Sequence, residues 1–306
     1  MCKRQHISLI KGDDKYLYEM AVDEEVSITF DSPDKFYTTF KQQLLQQYQS
    51  EFKAKSSQGR VTREAGKVNH GVSSTYLNNH KIDDNLRSFV ARGRLQLLQC
   101  ESLMTLYYPE SYTKSCKICN HPTETVSHIL NGCTKFQKLY QQRHNRIVDL
   151  IFGKIANSNP GKETFKDTVL KPEMFDAHMR TFEHQHKRPD ITIIDKQNKH
   201  AILVEVSVPF DAHISLCFQK KFDKYFPLSL EINTTGFRSE IIVIVIGSLG
   251  NVHHKVTSGL IKAGLNRRNS KSITKYCSVS SIIGSYKIWR LRCRYYNNQI
   301  SRERLS

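Results

Sequence analysis

Two carboxylates carry the strongest chemical signal in this sequence. Lys187-Arg188-Pro189-Asp190 is followed, after 14 intervening residues, by Glu205 inside the apolar run Ala201 to Val208. Ile191 to Asp195 reads as a strand, Lys196-Gln197-Asn198-Lys199 as its turn, and Ala201 to Val208 as a second, buried strand. With the turn centred on Gln197-Asn198, Asp190 faces Glu205 across the ladder. Directly opposed Cβ atoms sit about 4.5–5.5 Å apart, so both carboxylates can reach one divalent cation. A lone carboxylate among aliphatics is costly to bury, and Mg²⁺ or Mn²⁺ would neutralise it. Nucleases of the restriction type add a side-chain cation that orients water and offsets charge on the scissile phosphate. Its usual place is two residues after the second acid, but Ser207 stands there. The segment Phe218 to Tyr225 offers a substitute, because Lys221, Lys224 and Tyr225 share one helical face.

A second constellation lies upstream. Two residues separate Cys116 from Cys119, eight more separate Cys119 from His128, and four separate His128 from Cys133. Zn²⁺ favours four soft or borderline ligands in a tetrahedron, and a two-residue gap lets two thiolates reach one ion from a tight turn. The spacing predicts a closed structural zinc site, with His121 as the weaker alternative to His128. Of the eight cysteines, three fall within these 18 residues and the rest are scattered. Such a distribution suits metal ligation in a reducing compartment rather than a disulfide framework.

The elements that must hold these groups can be read from periodicity and breakers. Asp34 to Lys53 predicts a moderately amphipathic helix, and Ala54 to Asn79 a polar linker. Leu86 to Met104 predicts a basic helical segment in which Gly93 is a possible break. A helix is expected from Lys135 to about Ile155, stopped by Asn157-Ser158-Asn159-Pro160-Gly161. After the hairpin, a helix over Ser215–Phe226 should end before Pro227. Glu240 to Gly247 reads as an apolar strand in the centre of the sheet. From Val256 on, the chain reads as helical and basic.

The 306 residues carry 46 Lys+Arg against 29 Asp+Glu, a formal net charge of +17. An excess of this size suits a polyanion, most often nucleic acid. Residues 262–306 hold 11 basic residues and one acid, Glu303. Tyr276, Tyr286, Trp289, Tyr295 and Tyr296 are interleaved with these basic residues, which include Arg290, Arg292 and Arg294, a pattern that fits phosphate contacts plus stacking on bases. No stretch reaches the roughly 18 apolar residues of a membrane span. The start, Met1 to His6, lacks the apolar core of a signal peptide, so a nuclear, intracellular location is expected.

Taken in order, the Cys-Cys-His-Cys knuckle, Arg143-His144-Asn145, Arg188-Pro189-Asp190, Glu205 and Lys221-x2-Lys224-Tyr225 resemble the C-terminal region of site-specific non-LTR retrotransposon proteins. The resemblance spans roughly residues 85–306. It implies an α/β, restriction-endonuclease-like mixed β-sheet flanked by helices, preceded by a small zinc knuckle and a mainly helical N-terminal segment. It implies an enzyme that nicks double-stranded target DNA, leaving a 3′-hydroxyl that primes reverse transcription of element RNA. Asp190 and Glu205 would be ligands of Mg²⁺ or Mn²⁺, Lys221 the catalytic lysine, and Lys224 and Tyr225 its neighbours. Arg143 and His144, in the segment joining knuckle and nuclease, would touch nucleic acid, as would Arg188. The expected domains are 1–84, mixed and partly flexible, 85–142, the basic segment with the knuckle, and 143–306, the nuclease with its tail. Members of that family carry a reverse transcriptase, and these 306 residues do not provide one. Asp13-Asp14 and Asp83-Asp84, the Asp-Asp pairs, read as turns. The sequence therefore reads as the tail of such a protein standing alone. An inactive nucleic-acid-binding remnant is the rival expectation.

Overall fold

The computed structural model describes residues 7–11, 16–21, 27–30, 32–178 and 181–303, with side chains described over 29–30, 32–178 and 181–297. The chain forms two compact units, Met1–Gly59 and Arg60–Ser306. The division thus falls earlier than the boundary expected after residue 84, and the knuckle and the hairpin share one unit.

In the first unit, β1 (Ile7–Lys11), β2 (Tyr16–Ala21) and β3 (Ser27–Phe30) form an antiparallel meander with β2 in the middle. These strands are too short to stand out by periodicity, and a mainly helical segment is expected in their place. The Asp13-Asp14 pair lies outside the described residues. Helix α1 (Pro33–Ala54) matches its expected span. Pro33 at its first turn has no N–H to leave unsatisfied. Phe36 packs edge-on against Phe30 and stacks on Phe40, with centroids 5.7 and 5.9 Å apart.

The second unit opens with a correction. The expected linker is ordered, with short helices α2 (Arg60–Arg63) and α3 (His70–Ser73). Four of its apolar residues, Val61, Val68, Val72 and Tyr76, are buried, while Leu77 stays exposed. They are spaced too irregularly to register as a helix or a strand. Helix α4 (Asp84–Arg94) is capped by Asp83, whose carboxylate accepts from Leu86 N at 2.8 Å. The chain then turns through Gln96 at φ 59° before α5 (Glu101–Tyr107). Gly93 is no breaker. It lies inside α4, where a Cβ would meet Leu249 at 2.9 Å. After α6 (Val126–Asn131), α7 (Gln137–Ser158) ends at the predicted break.

The sheet runs β4-β5-β6-β7, formed by Glu163–Lys166, Ile191–Asp195, His200–Ser207 and Arg238–Val245. The first two pairings are antiparallel and β6–β7 is parallel, so the sheet is mixed. The parallel pair needs a crossover, and α8 (Ile214–Thr234) provides it. Alternation divides the buried residues between two faces. Ile191, Ile193, Ile202, Val204, Val206, Ile242 and Ile244 pack with α7, α9 (Val256–Lys262) and α10 (Arg267–Glu303). Ile194, Ala201 and Leu203 pack with Tyr225, Leu228 and Ile232 of α8.

Two further expectations fail here. Helix α8 passes through Pro227 without stopping, because Tyr225, Leu228 and Ile232 continue one apolar stripe across it. Strand β7 ends the sheet among the described residues instead of occupying its centre. Its runs of isoleucine and valine reflect cover on both faces. Its outer edge is shielded by the chain at Ile246–His253, where Val252 bridges Ile246 and His253 N donates to Val245 O at 3.0 Å. Covering an exposed strand edge suppresses intermolecular pairing.

Candidate active site and metal knuckle

The hairpin register matches the expectation. Ile191 pairs with Val204, Thr192 with Leu203 and Asp195 with His200, which places Asp190 opposite Glu205 at the end of the ladder. Residues 201, 203 and 205 point to the α8 face of the sheet, so Glu205 meets that helix. Lys221 donates to Glu205 Oε1 at 2.5 Å. The side chain of Glu205 is 5% exposed. Burial raises its pKa above the usual carboxylate range and the Asp190 charge raises it further, while Lys221 opposes both. Burial likewise works against charge on Lys221, yet Glu205 and then Asp190 hold its pKa above the ordinary lysine value.

Asp190 is fixed from two sides. Its Oδ2 accepts from Val206 N at 2.7 Å, and His144 Nε2 lies 3.4 Å from the same atom. His144 Nε2 is also 3.2 Å from Val206 O and its Nδ1 3.2 Å from Asn145 Oδ1. Burial alone would lower the His144 pKa, but the hydrogen bond and charge of Asp190 bring it up to about 9. His144 was expected to touch nucleic acid. The structure places it on Asp190, beside a cleft of about 530 Å³ that Asn131, Lys166, Asp167 and Val208 also line. Glu205 and Lys221 are not among the residues lining that cleft.

Lys224 and Tyr225 stand one step removed. Lys224 Nζ lies 2.8 Å from Tyr225 Oη and over its ring. The Tyr225 hydroxyl donates to Arg188 O at 2.8 Å, fixing the backbone just before Asp190. Burial and the neighbouring Glu205 keep this phenol well above its ordinary pKa. Ser207, at the usual lysine position, contacts Cys217 Sγ at 3.0 Å. Arg188 itself is exposed, with Asp167 Oδ1 3.8 Å from its Nε.

The knuckle is built from a turn and a short helix. Asn120 at φ 59° turns the chain, and Asn120 N donates to Cys116 O at 2.8 Å. Thr125 caps α6, accepting from His128 N at 3.1 Å. The ligand atoms of Cys116, Cys119, His128 and Cys133 all lie within 4.8 Å of one another, so this Cys₃His cluster can hold a metal ion such as zinc. His121 stays outside the cluster. It stacks on His128 with centroids 4.5 Å apart, and its Nδ1 accepts from Thr123 N. Burial lowers the His128 pKa, leaving the neutral imidazole a metal needs. It also pushes the Cys116 and Cys133 thiols up, whereas hydrogen bonds outweigh burial at Cys119 and hold it below its ordinary value. Cys119 is thus the most acidic thiol of the three. A bound Zn²⁺ supplies the charge that ionises the others.

Two of the arginines expected to touch nucleic acid are structural. Arg143 is 4% exposed and donates to Ser285 Oγ at 2.6 Å, joining α7 to α10. Arg292 is 6% exposed and donates to Glu124 Oε1 at 2.5 Å. Glu124 is fully buried and also accepts from the Tyr296 hydroxyl at 2.6 Å. Both arginines sit where α7 or the knuckle meets α10, and such a place gives no phosphate access. Arg290 and Arg294 remain exposed. The aromatics divide likewise. Tyr286 and Trp289 pack on Phe89, at 5.3 and 6.4 Å between centroids, while Tyr276 and Tyr295 face solvent. Nothing in the sequence marks Glu124 as an anchor, since an acid in a short loop carries no periodicity.

No protein-family model matches this chain, and neither does any curated protein. No helix among the described residues is long and apolar enough to cross a membrane.

Proposed function

We propose that this chain is a divalent-metal-dependent DNA endonuclease with a restriction-like core and a zinc knuckle. The observation that carries the reading is the grouping of Asp190, Glu205 and Lys221. Asp190 immediately precedes β5 and Glu205 lies on the adjacent β6, one step beyond the Ile191–Val204 pair, and one lysine from the crossover helix reaches the buried acid. The donor set fits Mg²⁺ or Mn²⁺, which take carboxylate oxygens and keep several waters. When bound, such an ion polarises a phosphoryl oxygen and favours hydroxide over water.

The residues then divide the remaining work. Asp190 and Glu205 would hold the ion, and Val206 N and His144 fix the orientation of Asp190. Lys221 places an ammonium beside the pair, where it offsets charge that develops on the phosphate. Oxygen from water bonds to phosphorus as the bond to the 3′-oxygen of one nucleotide breaks, and that oxygen takes up a proton. The exposed Arg188, Arg290 and Arg294 are the cations available for the DNA backbone.

A second reading is a DNA-binding protein that does not cleave. It is favoured by the charge pairing, in which Lys221 already neutralises Glu205 and His144 already faces Asp190. A labelled duplex separates the two. Asp190→Ala and Glu205→Ala should bind it as tightly as wild type or more tightly, since each removes a like charge, yet fail to cut it in Mg²⁺ or Mn²⁺. Equal cutting by wild type and both variants would remove the assignment.

A further inference from the structure

A second group of metal-ligating side chains lies away from both sites. Glu183, His184 and Glu231 bring one ligand atom each within 4.8 Å of one another. Glu183 and His184 belong to the segment that leads into Arg188-Pro189-Asp190. Glu231 is on α8, ten residues beyond Lys221. His184 and Glu231 are half-buried and fixed to each other, whereas Glu183 is exposed. One oxygen of Glu231 accepts from His184 N at 3.3 Å and the other is paired with His184 Nδ1. Phe182, next to Glu183, is buried in the cluster that includes Leu228 and Ile232 of α8. The second carboxylate is the informative part. Glu231 and His184 would satisfy each other as an ion pair, but Glu183 brings another negative group to the same point. Among the described residues, neither Glu183 nor Glu231 has a salt bridge to lysine or arginine. The His186 ring lies 6.1 Å from that of His184, so further imidazole is close by.

We infer that Glu183, His184 and Glu231 form a second metal site, which takes a borderline divalent ion such as Zn²⁺ or Co²⁺ and clamps the segment before Asp190 onto α8. One imidazole with two carboxylates is a donor set that such ions accept, leaving open positions for water. A cation between Glu183 and Glu231 would offset the repulsion of two carboxylates brought this close. The site is independent of the nuclease reading, because its ligands take no part in the Asp190–Glu205 pair.

The test is a Co²⁺ titration of the metal-stripped full chain, followed by equilibrium dialysis and optical absorbance. His184→Ala, Glu231→Gln and Glu183→Gln should each bind one Co²⁺ fewer than wild type. All three should keep the thiolate-to-cobalt absorption of the knuckle, which also reports that the chain is folded. Cys119→Ser should do the converse, losing that absorption while still losing one further ion when His184→Ala is added. Wild-type stoichiometry in His184→Ala and Glu231→Gln would overturn the site. So would loss of the thiolate absorption together with the ion, which would show that one site had been counted as two.

Discussion

Glu205 and Lys221 carry the proposed chemistry at the residue scale, because a carboxylate this deeply buried keeps its charge only beside a cation. Geometry separates two lysines that share a helical face. Lys221 reaches Glu205, whereas Lys224 rests on Tyr225. Lys221→Ala should therefore slow single-turnover cleavage on the order of 10²-fold or more, as loss of one preorganised group does. Lys224→Ala should cost clearly less, and a larger loss at Lys224 would move the catalytic cation to the Tyr225 side. His253 offers a separate reading of pH. It is buried and stacked on Phe218. Burial, followed by the charges of His254, Lys255 and Lys67, lowers its pKa from 6.5 to about 4. The unfolded chain takes up this proton first, so the stabilisation is full above pH 6.5 and is lost as pH falls towards 4. Urea unfolding over that range should show a shallower decline for His253→Gln than for wild type. Parallel declines would show that other groups govern the acid limb.

At the scale of elements, the knuckle and α10 act on each other through Glu124, which takes Arg292 and Tyr296 from the helix. Lys117, between the two first cysteines, adds a backbone contact to Tyr296 Oη at 3.4 Å. Cys119→Ser should lower zinc content and raise hydrogen exchange over residues 110–140. It should also raise exchange in the part of α10 near Arg292 and Tyr296, while β5, β6 and β7 stay protected. Full zinc content in that variant would remove the assignment, and added exchange confined to the knuckle would deny the coupling. Much at this scale was legible in the sequence. The hairpin gave its own register, since a four-residue turn and a period of two leave little freedom. The helices α1 and α7 also followed their patterns. What escaped depended on tertiary partners. Pro227 is tolerated because of the stripe around it, and residues 60–79 are ordered by four scattered side chains that find the core.

Across the whole molecule, a net charge of +17 makes salt the natural probe of its partner. Composition pointed to a polyanion, but it could not show which cations are free, because burial is a property of the packed chain. Arg290 and Arg294 are exposed, whereas Arg143 and Arg292 are sequestered. Replacing Arg290 and Arg294 with alanine should flatten the slope of log affinity for duplex DNA against log salt, by about 0.9 for each phosphate no longer neutralised. Arg292→Ala should instead lower stability, because it strands the buried Glu124. An unchanged slope in the double variant would show that this face of α10 turns away from DNA. The candidate site was legible for the same reason as the hairpin, whereas His144 entered it from a distant helix that no local pattern ties to Asp190. The most direct test of the account is nicking of supercoiled plasmid in Mg²⁺ and in Mn²⁺ by wild type, Asp190→Ala, Glu205→Ala and the double variant. Residues that act as one unit are non-additive, so wild type should nick and all three variants should share one background rate. Wild type that binds the plasmid without nicking it, or Asp190→Ala that nicks at the wild-type rate, would contradict the account.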